Sequence, residues 1–96
     1  MIDVIRDQTS EVSRMELLAE EAGELAVAAS KCARILRGEN PTPISEDAAR
    51  RHLIEEFSDV INVARSLCIK ADEEFIAAKN IRWVQRMNGI FEEERT

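Results

Sequence analysis

Two acid-rich octets in the chain have the spacing of a cation-binding site. The first, LAEEAGEL, spans residues 18–25, and the second, LIEEFSDV, spans residues 53–60. Each octet places two acidic residues three positions apart, and in a helix such residues share one face with their Cβ atoms about 5–6 Å apart. The sequence therefore predicts two pairs of neighbouring carboxylates. The four acids are Glu21, Glu24, Glu56 and Asp59.

These acids fall within or beside the apolar sectors of the two predicted helices. On a helical wheel at about 100° per residue, with Leu18 at zero, the apolar sector of the first helix runs from about 260° to about 80°. Glu21 falls inside this sector, near 300°, and Glu24 lies at its edge, near 240°. In the second helix Glu56 lies inside the apolar sector and Asp59 at its margin. An acid in an apolar sector is expected to need a partner.

A divalent cation is the partner that the acids indicate. A loop between two long helices favours an antiparallel hairpin, which brings the two acidic pairs together in a partly dry groove. Unpaired, each buried charge costs several kcal/mol, and the like charges repel. Carboxylate oxygens favour Mg²⁺, or alternatively Mn²⁺, over zinc, which prefers nitrogen and sulfur. The single histidine, His52, does not supply the Glu-x-x-His motifs of a di-iron bundle.

The same site predicts a phosphorylated ligand and a catalytic base. Magnesium is usually held by a few carboxylates together with substrate phosphates. Glu20 and Glu55 lie near 200° on the wheel, so they are expected to be exposed beside the metal ligands. Together with Glu21 they are the candidate catalytic residues. The alternative is that all of these acids form a solvated face that pairs with lysines and arginines.

Glycines and prolines divide the chain into three predicted helices and no strands, which indicates an all-α fold in a single domain of 96 residues. The predicted architecture is an antiparallel helical hairpin plus a third helix, assembling into a multi-helix bundle. Ser45 and Asp72 are plausible N-caps, and Asn88-Gly89 is a plausible stop. The predicted segments are a short helix or arm over 1–9, helices over 10–37, 46–69 and 72–87, a loop over 38–45 and a tail over 88–96.

The third predicted helix carries a basic strip. Lys79, Arg82 and Arg86 fall within about 60° of arc, where they are candidates for binding substrate phosphates. The alternative is that these cations complement the helix dipole and pair with surface acids. Asn80 is a candidate for contact with a base or hydroxyl, although an exposed polar position is the favoured interpretation. Trp83 is expected in the core or in a subunit interface.

Composition excludes several classes of partner. The formal net charge of −6 and the pI of about 4.8 argue against nucleic-acid polymers, which require a basic surface. No apolar run approaches eighteen residues and no signal-peptide pattern opens the chain, so no membrane contact and a cytoplasmic location are expected. Cys32 and Cys68 are interpreted as buried thiols. Three helices leave apolar surface uncovered, which favours a homo-oligomer, either a dimer or a tetramer.

With these motifs in place, the chain resembles the MazG-like all-α nucleoside triphosphate pyrophosphohydrolases. The resemblance covers residues 14–87 and is carried by EEAGE and EFSD in the two octets, NPTPIS between them and KNIRWVQRM in the third helix. It implies that Glu21, Glu24, Glu56 and Asp59 bind Mg²⁺. It further implies hydrolysis of a nucleoside triphosphate to the monophosphate and pyrophosphate by metal-activated water, in the service of the nucleotide pool.

Two other functions remain compatible with the sequence. One is a non-catalytic sensor of nucleotides or alarmones that keeps the metal ligands without turnover. The other is a structural helical interaction protein whose acids are merely solvated. Metal binding separates the second alternative from the enzyme, and turnover separates the first.

Overall fold

Three helices make up the described part of the chain. The computed structural model describes residues 8–39 and 43–95, with side chains up to residue 90. Helix α1 spans Glu11–Leu36, α2 spans Glu46–Ser66 and α3 spans Glu73–Arg95, and these ranges contain no strand. The all-α prediction is confirmed. The predictions for residues 1–9 and for the middle of the loop fall largely on 1–7 and 40–42, outside the described ranges.

Each helix begins at a side chain that accepts hydrogen bonds from the first turn. Ser10, Ser45 and Asp72 each accept from a backbone N–H two or three residues further along, at 2.9–3.1 Å. These bonds satisfy donors that have no partner within the helix. The caps predicted at Ser45 and Asp72 are confirmed.

The first two helices end in turns with a left-handed residue. Gly38 has a φ of 75° and Cys68 a φ of 57°. In both turns the N–H of the following residue donates to a carbonyl five residues back, at 2.9 and 3.0 Å. This is the Schellman arrangement. The prediction that the second helix reaches residue 69 is wrong, because the left-handed Cys68 ends the helix at Ser66.

Helix α3 is longer than predicted. The expected stop at Asn88-Gly89 and the expected tail over 88–96 are wrong, since the helix continues to Arg95. A glycine ends a helix by taking a positive φ, and Gly89 does not take one. A glycine inside a helix costs only about 1 kcal/mol relative to alanine. The good helix formers in the segment FEEER, which follows Gly89 closely, outweigh this cost.

Helices α1 and α2 form the antiparallel hairpin. Lys31 and Ala48 line one shared hollow, whereas Glu24 and Glu56 line another, so residue numbers rise along one helix as they fall along the other. The buried side chains between the helices are small, which allows the two backbones to approach closely. They are Ala28, Cys32, Ala49, Val63 and Ser66.

Helix α3 packs against neither of the other two helices over the described residues. The molecule is accordingly flat and extended, measuring 57 × 41 × 19 Å. Trp83 is 60% exposed, so its expected place in the core of this chain is wrong. Cys68 is exposed as well, whereas Cys32 is buried as predicted.

No helix in the described ranges combines the length and apolarity needed to traverse a lipid bilayer.

Candidate metal centre

Three of the four predicted metal ligands meet in the hairpin. Glu21, Glu24 and Glu56 each contribute a carboxylate oxygen, and these oxygens lie within 4.8 Å of one another. Two come from one turn of α1 and the third from the facing turn of α2. The antiparallel pairing of the octets thus produces the convergence that their spacing predicts. Asp59 lies outside this group, on the next turn of α2, although its charge still acts on Glu21 and Glu56.

The cluster lies partly inside the helix interface. The Glu56 side chain is only 14% exposed, Glu21 is half-buried and Glu24 is exposed. One oxygen of Glu21 and one of Glu56, the Oε2 in each case, are buried and accept no hydrogen bond from the described residues. A buried carboxylate oxygen without a donor is costly, so both positions favour a cation.

The environment raises the pKa of both inner carboxyls above the ordinary value of 4.5. For Glu21 the largest cause is desolvation in the hairpin, followed by the negative charge of Glu24. The pKa of Glu56 is raised chiefly by the same two effects, and the nearby His52 opposes them. Without a cation, the folded chain therefore holds protons on these carboxyls more tightly than the unfolded chain does.

His52 is a neighbour of the cluster that the sequence interpretation missed. Its Nε2 lies 3.5 Å from Glu56 Oε1, and its Nδ1 lies 3.8 Å from Glu55 Oε2. The side chain is 51% exposed, so it lies at the surface, where it lines the groove beside the acids. The i, i+4 spacing of His52 and Glu56 was the signal available in the sequence, because residues four apart on a helix are neighbours.

An open groove of about 610 Å³ runs beside the cluster. Its walls come from both helices of the hairpin, and Glu20 faces it, whereas Glu55 does not line it. At Gly23 no atom beyond the adjoining residues and the local helix backbone lies within 4 Å of the place a Cβ would occupy, so the groove floor is open there. The groove has room for a polar ligand next to the acids. The lining residues are Glu20, Gly23, Glu24, Val27, His52 and Glu56.

The basic strip lies elsewhere on the chain. Lys79, Arg82 and Arg86 line a shallow hollow on α3 together with Trp83, whose ring centroid is 5.6 Å from the Arg86 guanidinium. Asn80 is exposed on the same helix. Within the described residues of one chain, α3 does not contact the hairpin, so this strip does not reach the acidic groove.

The residues present fit a hard divalent cation. The cluster offers carboxylate oxygens and no sulfur, and two of its oxygens are buried without a donor. Magnesium and manganese favour such oxygen ligands and leave positions for water or phosphate oxygens. The exposed side of the cluster, at Glu24, opens into the groove, where a ligand oxygen has access to a cation held there.

Comparisons of the sequence and the fold with known proteins identify no relative of the chain. No protein-family model, no curated protein and no solved structure matches the chain. The resemblance to the MazG-like enzymes therefore remains a prediction.

Proposed function

We propose that the chain is a Mg²⁺-dependent nucleotide pyrophosphohydrolase, with Mn²⁺ as an alternative cation. Its substrate would be a nucleoside triphosphate and its products the monophosphate and pyrophosphate. The observation that carries the proposal is that carboxylate oxygens of Glu21, Glu24 and Glu56 lie within 4.8 Å of one another, while two other oxygens of the cluster are buried and lack a donor among the described residues.

Each acid has a distinct part in this proposal. Glu21 and Glu56 hold the cation from the interior of the hairpin, and Glu24 holds it from the groove side. Asp59 contributes negative charge from the next turn. When bound, a divalent cation lowers the pKa of a coordinated water and neutralises phosphate oxygens. Glu20 faces the groove, where it can accept the proton of an attacking water, and Glu55 beside His52 is the further candidate base.

The phosphate substrate follows from the chemistry of the site. Transfer of phosphoryl and nucleotidyl groups depends mainly on positioning and on neutralisation of charge, and no covalent nucleophile is required. An acidic groove repels a polyphosphate unless a cation intervenes, so substrate and cation are expected to bind together. Lys79, Arg82 and Arg86 are the proposed phosphate contacts, and Asn80 is the proposed contact to a base or hydroxyl. The nucleotide specificity rests on the resemblance.

The test is a screen of standard and modified nucleoside triphosphates with Mg²⁺, scored by release of pyrophosphate. We expect Glu21→Gln to lower activity by at least about 100-fold, because even residues supporting metal ligands account for about 10–100-fold. Glu16→Gln is the matched control, since Glu16 is exposed on the same helix and outside the cluster.

Binding assays distinguish the enzyme from its two rivals. Calorimetric titration with Mn²⁺ should show a site that Glu21→Gln abolishes and Glu16→Gln retains. Binding of metal and nucleotide without turnover would identify a sensor instead. Absence of Mn²⁺ binding in the wild-type chain would leave a helical interaction protein with a solvated acidic face.

A further inference from the structure

Helix α3 carries an apolar stripe that has no cover within the chain. Ile76, Trp83, Met87 and Ile90 fall within about 60° of arc on one face of the helix. All four are exposed, from 44% at Met87 to 60% at Trp83. The basic strip lies directly beside this stripe on the helical wheel, so a surface that covers the stripe also meets the strip. A surface helix with such a stripe normally buries it against another element.

The exposed area of the chain indicates how large the missing contact is. The chain exposes 7729 Å² at a mass of 10.9 kDa. A folded monomer of this mass exposes about 5,600 Å², so the excess is about 2,100 Å². A standard protein interface buries about 800 Å² on each partner, and obligate homodimers bury more. The excess is therefore large enough to supply one copy's share of such an interface.

Charge indicates which surfaces meet. The groove beside the cluster presents Glu20, Glu24 and Glu56, whereas the hollow on α3 presents three cations. Over the described residues the two hollows share no lining residue, and α3 does not contact the hairpin. The acidic and basic surfaces are complementary but separate within one copy. In an assembly of two copies, the acidic groove of one copy and the basic hollow of the other can face each other.

We propose that two copies of the chain pack with α3 of each against the hairpin of the other, so that the basic strip of one copy faces the acidic groove of its partner. Such an interface is symmetric, and it forms two equivalent composite sites. The cation ligands come from one copy and the phosphate contacts from the other. The use of the strip for phosphate binding rests on the proposed function, whereas the association itself does not.

Subunit mixing tests the composite site. Glu56→Gln removes a cation ligand, and R82A with R86A removes cations from the exposed strip, so each variant alone should have little activity. After mixing and exchange, half of the dimers contain one copy of each, and one of their two sites is intact. The mixture should recover about a quarter of wild-type activity. If the wild type is active and associated but the mixed variants recover no activity, the proposal is overturned, because both halves of the site then lie on one copy.

If no nucleotide is hydrolysed, the proposed function fails, but the proposed association can still be tested by a second measurement. Sedimentation of the wild-type chain should show a dimer or larger species, and a monomer at all concentrations would overturn the association. Carbodiimide cross-linking of mixed light and ¹⁵N-labelled protein should join Lys79 of one isotope to a groove acid of the other. Cross-links within one isotope only, or none, would contradict the arrangement. Lys79→Arg is the control, because it keeps the charge but removes the reactive amine.

Discussion

The hairpin and helix α3 differ in whether they bury apolar side chains within one chain. In the hairpin, small residues such as Ala28 and Ala49 are buried where the two helices pack together. In α3, large residues such as Phe75 and Trp83 remain exposed. The hairpin therefore has a core within one chain, although Ile54 and Phe57 on it remain exposed, whereas the described residues of α3 bury no apolar side chain.

The same division separates the two halves of the candidate site. Glu21 and Glu56 lie in the packed interface, where burial raises the pKa of both carboxyls. The cations of α3 lie on a helix without such packing. Residues in the hairpin should consequently respond to cation binding and core changes, and residues in α3 should respond to association.

The largest effect should come from the cation itself. At a Mg²⁺ or Mn²⁺ concentration of about 100 times the Kd, binding to the folded chain alone stabilises it by about 2.7 kcal/mol. Glu56→Gln should lose this gain and should melt above the wild type in chelator, because it relieves repulsion between Glu24 and Glu56. Thermal melting with and without cation measures both. A chelator-insensitive wild type together with a lower-melting Glu56→Gln would contradict the cluster.

A matched pair of valines compares the two regions directly. Val63 is 4% exposed in the hairpin, whereas Val84 is 51% exposed on α3. Val63→Ala should cost about 2 kcal/mol through lost burial and the cavity left behind. Val84→Ala should change the free energy of unfolding by less than about 0.5 kcal/mol. Urea denaturation measures both, and equal costs would show that α3 is packed as tightly as the hairpin.

Two glycines should respond with opposite signs. Gly38 has a φ of 75°, so Gly38→Ala should destabilise the end of α1 by about 1–2 kcal/mol. Gly89 is helical, and only its adjoining residues and the local helix backbone lie within 4 Å of a Cβ position, so Gly89→Ala should favour helical α3 by about 0.5–1 kcal/mol. Circular dichroism during melting measures these changes. A loss of stability or association in Gly89→Ala would reveal a neighbour close to that backbone.

The smallest effect is expected in the pH dependence, because the groove beside the two carboxyls is open to water. With chelator present, the raised pKa of Glu21 means that the folded chain binds more protons than the unfolded chain between the ordinary pKa of 4.5 and the raised pKa of the folded state. The wild type should lose stability relative to Glu21→Gln as pH rises through this range. Below it, both states are protonated and this penalty is absent. Parallel stability profiles for the two proteins would contradict the raised pKa.

Much of the fold and of the acidic cluster could be predicted from local patterns. Ser45 and Asp72 marked helix starts because side-chain caps depend on nearby backbone donors. Glu21 and Glu56 were found because helical periodicity fixes which residues share a face. The end of α2 was missed, since a left-handed Cys68 has no sequence signal as strong as glycine. The end of α3 was placed too early, at Gly89, because the residues around this glycine outweigh its cost within a helix.

The sequence by itself determined the helices, their caps and the paired acids, because each depends on residues within one or two turns. Tertiary structure alone decided that Glu24 joins Glu21 and Glu56 while Asp59 stays outside. It also decided that α3, with its basic strip, lies apart from the hairpin. Those outcomes depend on how two helices are rotated about each other and on where a connecting turn directs the third. Packing of distant side chains sets both, and no local pattern contains that information.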